Sequence, residues 1–334
     1  MYELLKKLCK ASGVAGRESG IRTTIEEIMK PLCDEVRTDN MGNLICLKKG
    51  NGANKQKVML CGHMDEIGFV VTYIEEDGSI RLSSMGGINF FASCMSRVCF
   101  DNGTEGVLVP ESGVAAKDVS ADKCYIDIGV KDRKSAERKV KIGDFCRCVP
   151  SLSKLSGSRV CGRPVDDRAG CAAVVEVAKK FADKEVYDDL YYVFSVQEEV
   201  GCRGAKTAAY SIAPDVCIVY DVTATGDTKG ATPMKCALGD GAAIKVKDSS
   251  VICDDEMIDV LVDLAKKNKI KYQLEVLTRG GTDTSSIQMS GCGAVAAALS
   301  IPCRYIHSCV EQIDMADLRA CVDLTVAYLE RGRE

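Results

Sequence analysis

The stretch Val58-Met59-Leu60-Cys61-Gly62-His63-Met64-Asp65 indicates the fold class of this chain. An apolar run of strand length ends in a glycine, a histidine and an acid, which is typical of a buried strand with functional groups at its carboxyl end. The chain has only two histidines in 334 residues. The second, His307, also follows an apolar run, so both lie where a metal site of an α/β sheet would need them.

Helix and strand patterns alternate on both sides of this stretch. Helical spacing of apolar residues predicts helices at residues 2–12, 19–33, 168–182, 256–267 and 315–330. Apolar runs predict strands at residues 43–48, 57–62, 190–196, 216–220, 271–277 and 294–300. This alternation predicts an α/β fold with a parallel or mixed sheet, flanked by helices on both faces.

Residues 67–157 have a different pattern. Short alternating runs are broken by Gly, Asp and Asn, and one helical pattern occurs, at residues 133–138. We therefore predict a catalytic α/β domain, residues 1–66 plus 158–334, interrupted by a β domain, residues 67–157.

The composition of the chain disfavours nucleic-acid binding, membrane spanning and thiol chemistry. The net charge of −4 and the pI near 5.5 give no basic surface for nucleic acid. Apolar runs are shorter than the roughly 18 residues of a membrane span, and the N-terminus is charged where a signal peptide is apolar. We expect a cytoplasmic protein. The 19 cysteines lack C-x-x-C spacing, which favours reduced, core-filling thiols over a thiol metal or redox site.

Acidic residues lie at the ends of further predicted elements. Glu198-Glu199 and Asp221 each follow an apolar run, and Asp166-Asp167 begins a helix. Each has an ordinary explanation alone: the adjacent acids can lie in solvated turns, and the aspartates can cap the helix. Strand ends of one sheet can meet in a single crevice, however. A coincidence at all five positions, these three and the two histidines, is much harder to accept.

The set of residue types suits a hydrolytic centre with two divalent metal ions. Such ions, about 3.5–4 Å apart, need a bridging carboxylate and terminal His, Asp or Glu ligands. A carboxylate that does not bind metal can carry the proton. Asp65 could orient the ring of His63. The sequence contains no G-x-S-x-G, P-loop or H-E-x-x-H motif.

Six motifs resemble those of the M42 metallopeptidases. This family comprises the tetrahedral (TET) aminopeptidases, glutamyl aminopeptidases and proteins labelled endoglucanase M. The motifs are CGHMDEIGF (61–69), VDDRAGC (165–171), FSVQEEVG (194–201), YDVT (220–223), GGTD (280–283) and RYIHS (304–308). The resemblance implies a zinc-peptidase-like fold with an inserted, β-barrel-like domain that serves dimerisation and assembly. It also implies assembly of dimers into a homo-oligomer of twelve chains.

The resemblance also implies a role for each site residue. Asp166 would bridge two metal ions and be followed by a cis peptide bond. The remaining ligands would be His63 and Asp221 for one ion, Glu199 and His307 for the other. Glu198 would be the general base, and Asp65 would orient His63.

These observations predict a dinuclear aminopeptidase that acts on short peptides with a free N-terminus. Zn²⁺ or Co²⁺ fits best, and Mn²⁺ also suits nitrogen and oxygen ligands. An amidohydrolase or deacylase using the same site is the nearest alternative, and a non-catalytic metal- or thiol-buffering protein is an alternative from another class. An endoglucanase is disfavoured because the chain has no Trp and only 5% aromatic residues. The preferred N-terminal residue is not predicted.

Overall fold

A computed structural model describes residues 1–331 of the protein. The α-helices are α1 (Tyr2–Lys10), α2 (Ser19–Met29), α3 (Phe90–Ser93), α4 (Arg133–Glu137), α5 (Arg168–Phe181), α6 (Arg203–Ile212), α7 (Asp255–Asn268), α8 (Asp283–Gln288) and α9 (Met315–Leu329). Short 3-10 helices lie at Lys30–Leu32, Ala116–Asp118 and Ala121–Lys123. None of the helices within residues 1–331 is long and apolar enough to cross a membrane.

The strands form two sheets. They are β1 (Glu35–Thr38), β2 (Leu44–Lys48), β3 (Lys57–His63), β4 (Gly68–Ile74), β5 (Ile80–Met85), β6 (Arg97–Phe100), β7 (Glu105–Pro110), β8 (Cys124–Asp127), β9 (Phe145–Cys148), β10 (Ser151–Lys154), β11 (Arg159–Arg163), β12 (Asp189–Ser195), β13 (Val216–Thr223), β14 (Ala242–Lys247), β15 (Tyr272–Val276), β16 (Val295–Arg304) and β17 (Glu311–Asp314).

The large sheet is mixed, with a parallel centre. Its order is β1-β2-β12-β3-β13-β16-β17-β11-β10, and β14 joins β15 to β16. The neighbours β12, β3, β13 and β16 run parallel, so their carboxyl ends lie at one edge. Alternate residues of β3 face opposite helix layers: Val58 and Leu60 pack in the same cluster as α5, Met59 and Cys61 in the same cluster as α6. The predicted sheet with helices on both faces is confirmed.

The inserted β structure is a closed barrel with its own core. Strands β4-β5-β8-β7-β6-β9 close on themselves, around side chains such as Phe69, Leu108 and Ile126. The predicted β-barrel-like insertion is confirmed. Strand β10, which lies within the predicted residues 67–157, pairs with β11 in the large sheet instead. The division of the chain into domains stays a prediction.

Several elements differ from the sequence-based prediction. Helices α6 and α8 and strands β14 and β17 were not predicted, because they are short or begin in segments rich in glycine and polar residues. Strands β13 and β16 continue past their predicted ends, at residues 220 and 300, since they pair with each other as far as Thr223 and Pro302. Helix α2 ends at Met29 and continues as a 3-10 turn.

Candidate metal centre

Strand ends bring the predicted site residues to one edge of the large sheet. His63 ends β3, Glu198 and Glu199 follow β12, Asp221 lies in β13, His307 follows β16, and Asp166 lies between β11 and α5. The placement of Asp221 after its strand was wrong: it is the sixth residue of β13, which is longer than its apolar run indicates.

Asp166 lies between the two histidines and presents a different oxygen to each. Its Oδ1 is 3.1 Å from His63 Nε2, and its Oδ2 is 3.3 Å from His307 Nε2. The same His63 nitrogen is 3.8 Å from Asp221 Oδ1, and the same His307 nitrogen is 3.2 Å from Glu199 Oε2. The carboxylate of Asp166 is therefore placed as a bridge between two groups of ligand atoms.

Asp65 connects three of the predicted site residues. Its Oδ1 lies 3.5 Å from His63 Nδ1 and accepts a hydrogen bond of 3.0 Å from the backbone N–H of Glu198. Its Oδ2 accepts one of 3.1 Å from the N–H of Glu199. Asp65 therefore fixes the backbone of both glutamates as well as contacting the ring of His63.

Asp167 has a positioning role that sequence reasoning gave only as a helix cap. Its Oδ1 accepts from the N–H of Gly170 (2.8 Å), which caps α5, and its Oδ2 accepts from the N–H of His63 (3.3 Å). A Cβ atom at Gly62 would lie 2.9 Å from the backbone carbon of Gly170, so only glycine lets β3 approach this helix. The peptide bond between Asp166 and Asp167 is cis, as the resemblance implies.

Glu311 is a site residue that sequence analysis missed. Its Oε2 accepts from the backbone N–H groups of Val165 (2.7 Å) and Asp166 (3.2 Å), and its Oε1 accepts from that of His307 (3.2 Å). Burial raises the pKa of Glu311 to about 8. One buried carboxyl thus holds two segments that are distant in sequence, which no local pattern could reveal.

Buried charges make the centre attractive to cations. Burial lowers the pKa of His63 and His307, but their hydrogen bonds to Asp166 and the charges of neighbouring carboxylates outweigh this effect. The net pKa of His307 is about 11, and that of His63 lies well above its usual value. Burial raises the pKa of Glu198 well above its usual range, and Asp221 acts in the same direction. The carboxyl groups are therefore crowded, and a bound cation would relieve the repulsion between their charged forms.

The donor set fits divalent metal ions. Ligand atoms of His63, Asp166 and Glu199 lie within 4.8 Å of one another, as do those of His63, Asp167 and Asp221. The buried Oε1 of Glu199 has no hydrogen-bond partner in the part of the chain that the structure describes. Imidazole and carboxylate ligands suit Zn²⁺, Co²⁺ and Mn²⁺.

Comparison with known proteins identifies the family. The M42 glutamyl aminopeptidase family matches residues 42–324. This chain belongs to the M42 peptidase family. A protein of Acetivibrio thermocellus named as an aminopeptidase is 46% identical to it, over 98% of this chain and 97% of that protein.

Solved structures of M42 relatives have the same fold. Aminopeptidase APDkam598 from the archaeon Desulfurococcus kamchatkensis superimposes with a TM-score of 0.94 at 34% identity, covering 99% of this chain and 94% of that one. The TET1 peptidase of Pyrococcus horikoshii, described as able to assemble into a tetrahedron or a large octahedral shell, gives a TM-score of 0.88 at 32% identity, covering 98% of both chains.

Proposed function

We propose that this M42 protein is an aminopeptidase that uses two divalent metal ions to release N-terminal residues from short peptides. The observation that carries the proposal is the position of Asp166, which faces His63 with one oxygen and His307 with the other. His63 and Asp221 would hold one ion, and Glu199 and His307 the other, with Asp166 shared. Bound divalent ions supply Lewis acidity and make water easier to deprotonate.

The protein's own residues would orient the reactants and move the proton. Glu198 lies next to the ligand Glu199 and is free to take a proton from water and deliver it to the departing amine. Burial raises the pKa of Glu198, which makes its carboxylate a better proton acceptor than an exposed glutamate. Asp65 fixes the position of Glu198 by accepting a hydrogen bond from its backbone N–H. Glu198 and Asp221 would attract the free ammonium group of the substrate.

Assembly and location complete the proposal. The protein would form a large homo-oligomer, of twelve chains, and the shells described for the Pyrococcus horikoshii relative support large assembly. A closed shell would admit short, unfolded peptides and exclude folded proteins. A cytoplasmic location stays a prediction from the sequence, and Zn²⁺ and Co²⁺ remain the preferred ions.

The decisive experiment is a mass-spectrometric time course on one ten-residue peptide, tested free and N-acetylated. We expect stepwise loss of N-terminal residues from the free peptide and little turnover of the acetylated one. Acetylation removes the positive charge of the N-terminus, which positions the peptide at the metal centre. Equal hydrolysis of both forms would favour the amidohydrolase or deacylase instead. Two bound ions per chain that survive thiol alkylation would exclude the thiol-buffering protein.

A further inference from the structure

A second group of ligand atoms lies beside Glu198. It consists of a carboxylate oxygen of Glu198, the thiol of Cys202 and a carboxylate oxygen of Asp283, all within 4.8 Å of one another. The Cys202 thiol donates to Glu198 Oε1 at 3.2 Å. Cys202 and Asp283 have no part in the proposed dinuclear centre.

Asp283 is held in a way that leaves one oxygen without a partner. Its side chain is buried, only 2% exposed. The hydroxyl of Ser195 donates to its Oδ2 at 2.5 Å, whereas its Oδ1 has no hydrogen-bond partner among residues 1–331. A buried carboxylate oxygen without a donor is costly, and a cation would satisfy it.

We propose that Glu198, Cys202 and Asp283 form a third cation site, which takes a thiolate-seeking divalent ion such as Zn²⁺ or Cd²⁺ and inhibits the enzyme. The cation would bind the carboxylate of Glu198 and so withdraw the general base from proton transfer. The inhibitory part rests on the proposed function, since it needs Glu198 to be the base; the binding part does not.

The ligand set selects the class of cation. Zinc binds thiolate at about 2.3 Å and carboxylate at about 2.0–2.2 Å, which places two tetrahedral ligands about 3.5 Å apart. The 3.2 Å between Cys202 Sγ and Glu198 Oε1 is close to that spacing. A sulfur ligand favours Zn²⁺ and softer ions over Mg²⁺ or Mn²⁺. On binding, the thiol proton passes to solvent and the sulfur becomes a thiolate ligand.

The surrounding charge also favours another cation. Seven carboxyl groups converge here, so a further cation would lessen the repulsion among their charged forms. They are Asp65, Asp166, Asp167, Glu198, Glu199, Asp221 and Asp283. Glu198 and Cys202 are only partly buried, so an ion can reach them from solvent.

The test measures binding and inhibition separately on the metal-loaded protein. Cd²⁺ is titrated without substrate into wild type and Cys202→Ser, and the ultraviolet thiolate-to-cadmium absorption is recorded. Cys292→Ser, which removes an exposed thiol outside the cluster, is the matched control. We expect Cys202→Ser to lose the absorption of one thiolate per chain, and Cys292→Ser to keep the band produced at the lowest Cd²⁺ additions.

Inhibition is then compared as the ratio of inhibited to uninhibited peptide turnover within each variant. We expect Cys202→Ser to need at least tenfold more Zn²⁺ or Cd²⁺ for half inhibition than wild type. Asp283→Asn serves as a second variant if Cys202→Ser fails to fold, and it should weaken Cd²⁺ binding while keeping the thiol.

Identical cadmium absorption bands in wild type and Cys202→Ser would overturn the site. A lost band with unchanged inhibition would overturn its inhibitory role, and absent peptide turnover in wild type would overturn the proposed function alone.

Discussion

Asp166 contacts both histidines of this chain, and its neighbours explain why it can. Asp167 accepts from the N–H of His63, at the end of β3. Glu311 accepts from the N–H of Asp166, before α5, and from that of His307. These two residues position the ligands, whereas Glu199 would bind metal and Glu198 would move the proton. The different roles of the adjacent glutamates predict different consequences when each is replaced.

The first prediction separates Glu198 from Glu199. Glu198→Gln should keep near-full occupancy of both metal sites and lose about two to four orders of magnitude in kcat, the usual scale of general acid–base catalysis. Glu199→Gln should lose metal as well as activity, because Oε2 of Glu199 contacts His307 at the proposed second ion. Metal analysis of the two variants, each beside its turnover number, makes the comparison. Loss of an ion from Glu198→Gln alone would reverse the two roles.

A second prediction concerns Asp317, a buried carboxyl away from the metal centre. It accepts from the N–H groups of Gly239 and Gly241, yet burial raises its pKa to about 6. The folded state therefore binds the proton more tightly than the unfolded state. The stability that the protonated form contributes is present below about pH 4 and is lost as pH rises through 6.

The measurement is urea unfolding of wild type and Asp317→Asn between pH 4 and pH 7, with chelator present so that metal binding does not contribute. The free energy of unfolding of wild type, minus that of the variant, should fall by up to about 3 kcal/mol across this range. A difference that is constant with pH would show that Asp317 ionises normally.

At the scale of elements, the barrel and the α/β domain are joined by a buried ion cluster. Glu66, which precedes β4, accepts from Arg147 of β9 at 2.8 Å and from Arg168 of α5 at 3.1 Å. Arg147 also donates to the backbone carbonyls of Lys10 and Ala11, at the end of α1. Glu66 therefore connects the barrel to α5, and Arg147 connects it to the end of α1.

The third prediction follows from this cluster. Glu66→Gln should lower the free energy of unfolding by about 3–5 kcal/mol, since it leaves two buried guanidinium groups without a counter-charge. Glu76→Gln is the matched control, because Glu76 pairs with Arg133 at 3.1 Å on the surface of the barrel and should leave stability nearly unchanged. Chemical denaturation of the two variants beside wild type makes the test. Equal stabilities would mean that the cluster does not hold the two units together.

The elements also show what the sequence could and could not reveal. Strands β3, β12 and β13 were predictable because central parallel strands are apolar on both faces. Only two histidines were available, so their strand-end positions predicted the centre of the site. The buried contacts of Glu311 and Asp283 were not predictable, because they join segments that are far apart in the chain. Strand β17 is only four residues long, which is too short to show the alternation of apolar and polar residues that indicates a strand.

On the scale of the whole molecule, the barrel carries large apolar side chains on its surface. Phe91 of α3 is 70% exposed and Met95, close after it, is 73% exposed. Exposed apolar groups that lie together mark interaction surfaces in many proteins. The barrel was predicted to be the assembly domain, and these residues give it a surface through which chains could associate.

The last prediction is that the protein forms a homo-oligomer of twelve chains. With a chain mass of 35.9 kDa, light scattering should give about 430 kDa for a closed assembly of this size. Replacing Phe91 and Met95 together by glutamate should reduce the mass, because burying two new charges at an interface is unfavourable. Monomer or dimer alone over a wide range of concentration would contradict the dodecamer. An unchanged mass in the double variant would place the interface elsewhere on the barrel. Turnover of a short peptide, compared with turnover of a folded protein, would then show whether the assembly still restricts access to the metal centre.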